Sequence, residues 1–492
     1  MHIEIYQGDL AGLAADLLVL ILDPRSRLFE LGDELLEERV GKLAEEFSGK
    51  TLRREYAFDP AHLESVGTVV AYSTVLEDAF PLVENVKTFL SRALRLGAET
   101  GRKRVAVALN SPGGTELAGK AAEGALIGTY SFEKYRREPR KLFDEVTLVL
   151  WTQAGEAVEA QVQMDRLYGE AANYARDLVN EPADVLTPEL LAEQARSMAQ
   201  ELSLDYEVWD AARLEEEGCI GLVRVGAGSS HPPRMFRVSW DPAKGSRDHL
   251  VLLGKGVTFD TGGISIKPGE KMHMMRGDMA GAAAVMGAIY AVGRLKPPLK
   301  VTALVVSAEN TPGANAYRPG DILKYRNGKS VHVENTDAEG RLILADGLIQ
   351  CGLLKATHVV DVATLTGACA RALGTSFTGL MGRSRALVNA ITRAGGNRGE
   401  SYWKLPLPRE YLELLKSDVA DLNNLGGEYG GTVTAGLFLQ EFVPEGLSWA
   451  HLDIASTFWK QKPWKYYNEG PSGTAVKTLV DLAVNWSEHF PA

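Results

Sequence analysis

The sequence predicts two α/β domains, and three observations carry that reading. The chain has 492 residues, too many for one ordinary hydrophobic core. Short apolar runs alternate with amphipathic stretches, the pattern of strands feeding helices. After a long helical stretch, the string Asn180-Glu181-Pro182-Ala183-Asp184 breaks the pattern. We place the boundary near residue 160, giving domains over 1–160 and 161–492.

In the first domain, strand-like runs at 17–22, 68–72, 105–109 and 146–150 alternate with helical stretches at 33–46, 82–99 and 119–130. A helix follows over about 160–178. Thr187-Pro188-Glu189 opens another, with Thr as cap and Pro at the first helical position. The second domain begins with a buried strand at 250–253, and residues 254–269 read as a glycine-rich loop. An Ala/Gly-rich helix at 279–292, a strand at 300–307, a helix at 338–354 and a strand at 357–362 complete a second α/β unit with a mixed central sheet.

Composition limits the function classes. The 45% hydrophobic and 24% charged shares are those of a soluble globular protein. A net charge of −11 argues against a broad nucleic-acid or acidic-membrane footprint. Three scattered cysteines with no CxxC argue against a disulfide framework and a thiolate metal site, and fit a reducing compartment. No apolar run reaches the ~20 residues that span a bilayer, and the first residues read as a strand, so a cytoplasmic location is expected.

The chemistry concentrates in Asn335-Thr336-Asp337-Ala338-Glu339-Gly340-Arg341-Leu342, where a loop becomes a largely apolar helix. Asp337 and Glu339, two apart, can reach one point, and two carboxylates repel there unless a cation lies between them. Gly340 lets backbone approach closely, and Arg341 offers a planar fork for an anion. Lys255, Asp260 and Lys267 lie after the 250–253 strand, and Asp278 opens the next helix. Four carboxylates at strand and helix ends match the needs of a two-metal hydrolase, with ions ~3.5–4 Å apart. There is no HExxH and no histidine ligand spacing, so such a site is carboxylate-based. Lysine ligates only as a neutral amine, so dications would have to pull its pKa well below about 10.4.

The strings from Leu253 to Lys267 (L-G-K-G-V-T-F-D-T-G-G-I-S-I-K), Met275-Arg276-Gly277-Asp278-Met279 and N-T-D-A-E-G-R-L resemble the leucyl aminopeptidase (cytosol aminopeptidase) family of dinuclear-metal exopeptidases. The likeness is dense over 250–374 and continues in Ala420-Asp421-Leu422-Asn423-Asn424 and Ala450-His451-Leu452-Asp453-Ile454-Ala455. The first 150 residues are only generically similar, and the resemblance implies a macro-like amino-terminal domain. It implies that Asp260 and Glu339 bridge two divalent ions (zinc or manganese), that Lys255 and Asp278 complete one site and that Asp337 completes the other. It further implies that Lys267 polarises the scissile carbonyl, and that Arg341 with Leu365 holds a bicarbonate acting as general base on a bridging water. Met275, Thr364, Gly367, Ala455 and Phe458 would line a pocket for a leucine-like side chain. The family's homohexamer is the expected assembly and peptides are the expected substrates.

Other readings compete at single positions. Asp278 alone reads as a helix cap, Lys255 as a solvated lysine, Lys267 as a turn lysine, and Arg341 as a partner for a neighbouring carboxylate. The 114–121 segment resembles a phosphate-binding loop, but Ala121 replaces the magnesium-binding hydroxyl. Ser265 sits in a near nucleophile elbow that lacks its closing Gly. His273 reads as a satisfied loop histidine. Whole-protein rivals are DNA binding, ADP-ribose binding at the 110–114 loop, and dipeptide hydrolysis in place of general trimming.

Overall fold

A computed structural model describes residues 1–22, 31–47, 55–73, 82–109, 114–140, 142–153, 155–242 and 247–491. It packs as two compact units, Met1–Glu170 with Gln461–Glu469, and Ala171–Lys460 with Gly470–Ala492. Residues 110–113, most of the loop considered for ADP-ribose, lie outside the described residues.

The first unit is built on strands β1 (His2–Tyr6), β2 (Ala15–Leu22), β3 (Glu55–Phe58), β4 (Val66–Ser73), β5 (Arg104–Ala108) and β6 (Thr147–Trp151), ordered β1-β6-β5-β2-β4-β3. β3 pairs antiparallel with β4, and the other pairs are parallel. From Leu17 to Ile21, strand β2 is apolar without interruption because both its faces are covered. Leu17, Val19 and Ile21 pack with Phe89 and Leu90 of the helix Leu82–Glu99. Leu18 and Leu20 pack with Leu36 and Val40 of the helix Glu34–Phe47. The phosphate-loop lookalike is helical from its first residue, Gly114–Gly128. Lys120 is buried there, 3.6 Å from Asp165 Oδ1 and 3.9 Å from Glu123 Oε2.

The second unit holds β7 (Asp205–Trp209), β8 (Arg234–Trp240), β9 (His249–Asp260), β10 (Lys300–Asn310), β11 (Ile322–Lys324), β12 (Ser330–His332), β13 (His358–Ala363), β14 (Phe377–Gly382), β15 (Ser401–Lys404), β16 (Leu422–Asn423) and β17 (Ser448–Asp453). Its main sheet runs β15-β14-β17-β13-β9-β10-β8-β7, and β11, β12 and β16 form a small one. The centre, β17-β13-β9-β10, is parallel, while β14 and β8 run against it. The main sheet is therefore mixed. The expected caps hold, since the helix Ala157–Asn180 ends at the breaker and Thr187 Oγ1 accepts from Leu190 N at 3.3 Å.

One expectation needs correction. The 254–269 segment does not begin as a loop, because β9 continues through Lys255 to Asp260. Its glycines serve packing. A Cβ at Gly254 would sit 2.7 Å from Ala282 Cα, and one at Gly281 would sit 2.0 Å from Val362 O. The helix Ala280–Leu295 thus lies directly on the sheet backbone, which a larger side chain at either position would prevent. β9 also carries a bulge. Val257 pairs with Ala308 but Phe259 pairs with Glu309, leaving Thr258 as the extra residue.

Candidate metal centre

The candidate residues gather at the carboxyl ends of β9, β10 and β13, where open α/β sheets place their sites. Lys255 points from β9 toward the helix Glu339–Leu353, with its Nζ 2.8 Å from Glu339 Oε1 and 2.7 Å from Asp278 Oδ2. The same ammonium donates to Thr364 O at 3.1 Å, just past β13. Gly340 makes room for it, since a Cβ there would lie 2.8 Å from Lys255 Nζ and 3.0 Å from Leu365 Cδ1.

Asp260 ends β9, and the chain turns back through Gly262 (φ +87°) and Gly263 (φ +64°), conformations that favour glycine. A Cβ on Gly262 would also strike Ser265 O at 2.5 Å. Gly262 N donates to Asp260 Oδ1 at 2.8 Å, and Lys267 N closes the loop onto Thr261 O, also at 2.8 Å. The loop returns Lys267 Nζ to Asp260 Oδ2, at 2.8 Å, and into contact with Asp337 Oδ1. Carboxylate oxygens of Asp260, Asp337 and Glu339 lie within 4.8 Å of one another.

Electrostatics show what such a cluster demands. Burial raises the Glu339 carboxyl to about 8, with Asp260 adding to the effect, and burial raises Asp278 to about 6. Burial alone would lower Lys255 and Lys267, but the surrounding carboxylates hold both ammonium groups above the ordinary lysine range. Two lysine cations therefore occupy the middle of four acids. This donor set fits dications on two further counts. Glu339 Oε2 is buried without a hydrogen bond, and hard oxygen donors suit hard or borderline metals. Arg341 is buried, with Nε and Nη1 lacking hydrogen-bond partners, and burial lowers its guanidinium to about 10. Those two orphan donors fit an anion.

Of the five residues expected to line a side-chain pocket, Thr364 touches the centre directly. Thr364 Oγ1 donates to Asp278 Oδ1 at 2.8 Å. Met275 precedes Asp278 in the short helix Met272–Gly277, and Phe458 packs so closely that a Cβ on Gly277 would lie 2.7 Å from its ring. Asp453, buried at the end of β17, accepts from Leu365 N, Thr366 N, Thr366 Oγ1 and Ala455 N, tying the Gly367 helix start to Ala455. His273 is exposed, and its carbonyl accepts from Arg276 at 3.4 Å.

Several supporting residues escaped the sequence reading. Asn310 Nδ2 donates to Asp260 Oδ1 at 2.9 Å and to Thr336 O at 3.0 Å. Tyr317 OH donates to Thr336 O at 2.7 Å, and Thr336 Oγ1 donates to Gly262 O at 2.6 Å. Trp449 Nε1 and His451 Nδ1 both engage the buried Asp361 carboxylate, at 2.6 and 2.5 Å. Asp453 and His451 stood inside a recognised string, but nothing in the sequence ties Asn310 or Tyr317 to this loop.

A mixed-sheet α/β unit with a carboxylate-walled cation site at its strand ends defines a class of metal-dependent hydrolase. The profile of the cytosol aminopeptidase family, catalytic domain, matches residues 173–480. A "Probable cytosol aminopeptidase" of Solibacter usitatus (strain Ellin6076) is 45% identical over 78% of this chain and 80% of its own. One from Alkaliphilus metalliredigens (strain QYMF) is 38% identical over 98% and 99%. Among solved structures, the bottromycin maturation enzyme BotP superposes with a TM-score of 0.83 at 33% identity, over 96% of this chain and all of its own, and it has also been solved in complex with Mn. The chain belongs to the cytosol aminopeptidase family. It is a metal-dependent aminopeptidase, a hydrolase of peptides. Among the described residues, no helix is long and apolar enough to cross a membrane.

Proposed function

We propose that this enzyme removes a leucine-like amino-terminal residue from peptides using two divalent ions, zinc or manganese, held by Lys255, Asp260, Asp278, Asp337 and Glu339. Asp260 and Glu339 would serve both ions, Lys255 and Asp278 would complete one position, and Asp337 would complete the other. The observation that carries this reading is the convergence of Asp260, Asp337 and Glu339 within 4.8 Å, with two lysine cations among them. When bound, the ions supply an activated water and a Lewis acid for the scissile carbonyl.

The chain's own groups do the remaining work. Lys267 keeps its positive charge beside Asp260 and Asp337, where it stabilises negative charge developing on the carbonyl oxygen. Arg341, together with Leu365, which lies against Gly340, would hold a bicarbonate that would supply a general base. Met275, Thr364, Gly367, Ala455 and Phe458 receive the first side chain, and their largely apolar surfaces favour leucine over charged residues. We further infer a homohexamer acting in the cytoplasm on short or unfolded chains.

Metal quantification on purified protein, paired with a leucine-amide assay, tests the reading. Two ions per chain, and activity lost on chelation and restored by zinc or manganese, are the expected result. Full activity in metal-free protein would refute it.

A further inference from the structure

The string Ala420-Asp421-Leu422-Asn423-Asn424 is far along the chain from the proposed metal ligands, but it lies beside the loop that carries one of them. There β16 pairs parallel with β12, Leu422 opposite Val331 and Asn423 opposite His332. Asn424 N adds a last main-chain bond to His332 O at 3.0 Å. Beyond that rung a side chain continues the ladder. Asn424 is buried, and its Oδ1 accepts from Glu334 N at 2.8 Å and from Asn335 N at 3.2 Å. Its Nδ2 donates to Asn335 O at 2.7 Å.

Asp337 needs such support more than its neighbours in the cluster do. Asp260 belongs to β9 and Glu339 to the helix Glu339–Leu353, whereas Asp337 is exposed in the loop between β12 and that helix. Asn335 Oδ1 accepts from Asp337 N at 2.7 Å, and Asn335 O accepts from Ala338 N at 3.3 Å as well as from Asn424. Asn424 therefore fixes both main-chain groups of Asn335, and Asn335 in turn fixes the main chain at Asp337. The task calls for a carboxamide, which presents an acceptor and a donor side by side as a peptide group does. Aspartate has no donor for Asn335 O, and leucine has neither group.

We infer that Asn424 is a positioning residue for the ion that Asp337 would complete. The inference rests on the two-metal reading above. Asn424 acts through Asn335, without touching the ion or the reacting atoms. Groups that orient a ligand in this way commonly set metal affinity by about 10–100-fold. Glu334 is exposed and Asn335 half-buried, so water can take over their main-chain groups when the carboxamide is removed. The loss then falls on the placing of Asp337, and the fold survives.

The test titrates metal-free protein with manganese by calorimetry, in wild type, Asn424→Ala, Asn335→Ala and the double variant. Asn335→Ala removes the bond to Asp337 N and spares all three Asn424 side-chain bonds, so it carries the test by itself should Asn424→Ala fail to fold. Asp421→Ala is the control, because Asp421 Oδ2 accepts from Ser330 N and Oγ, both at 2.7 Å, at the other end of the same strand pair. Each single variant is expected to weaken one of the two ions about 10–100-fold and to leave the other unchanged. The double variant should lose no more than the singles, since the two residues act as one unit. Asp421→Ala should bind both ions as wild type does. Unchanged affinities in the single variants, additive losses in the double variant, or an equal loss in Asp421→Ala would each overturn the positioning role. A wild type that takes up fewer than two ions would instead overturn the two-metal reading, so the two failures are distinguishable.

Discussion

Lys255 and Asp260 both reach Glu339 from strand β9, although a step of five residues sends side chains of a regular strand to opposite faces. The bulge at Thr258 adds the residue that restores the match. Lys255 lies on the face of Val251, Leu253 and Val257, which pack on the helix Glu339–Leu353. The extra residue brings Asp260 back to that face at the strand's end.

Removing either acid proposed to bridge the metals should empty the centre. We predict that Asp260→Ala and Glu339→Ala each lose at least one ion and lower kcat/KM by roughly a thousandfold or more, several kcal/mol of barrier. Metal analysis with leucine-amide kinetics checks this, and two retained ions with near-normal turnover would exclude the bridging assignment.

Lys267 is more exposed than Lys255, with 22% of its side chain open against 3%, and it sits beside Asp337 at the solvent side. Lys267→Ala should keep both metals yet lower kcat by about 10²–10³, as loss of a charge at the developing oxyanion does. Unchanged kcat would remove Lys267 from the reaction.

Arg341 has two buried donors without partners, so its truncation to Ala should cost less than loss of a metal ligand. We predict a partial loss of turnover, about tenfold to a hundredfold, and no stimulation by added bicarbonate. Stimulation equal to that of wild type would rule out Arg341 as the bicarbonate holder.

Metal binding should release protons. In the metal-free protein the Lys255 pKa lies above the ordinary range, and Glu339 sits near 8. Raised values mean that each protonated form stabilises the metal-free fold. The contribution is complete below the unfolded pKa and lost as pH rises through the folded one. At pH 7 both groups hold protons that ligation must displace, so about two should leave per chain. At pH 9 Glu339 is already ionised, and the release should fall by about one. Titration with zinc in weak buffer reads this directly, and release independent of pH would contradict it.

Gly281→Ala tests the packing that positions Asp278. The added carbon would lie 2.0 Å from Val362 O, backbone that cannot swing aside. The expected cost is about 1–3 kcal/mol, the usual range for overpacking, with a lower melting temperature and weaker metal retention. An unchanged melting temperature would mean that the helix Ala280–Leu295 can lift from the sheet freely.

The sequence by itself determined the α/β class, most elements to within a few residues, and the set of chemistry-bearing side chains. Apolar periodicity, caps such as Thr187-Pro188 and the 335–342 string are local properties of adjacent residues, so they are legible without coordinates. The strand through Lys255 was not legible, because glycines that look like loop residues are there to admit the helix Ala280–Leu295, and the residues Gly254 meets there, Gly281 and Ala282, lie far along the chain. Only the tertiary structure decided that a bulge re-aims Asp260 and that Asn310 and Tyr317 brace the Thr336 loop. Each of these depends on contacts between segments far apart in the chain, and such pairings are set by how strands are ordered in the sheet.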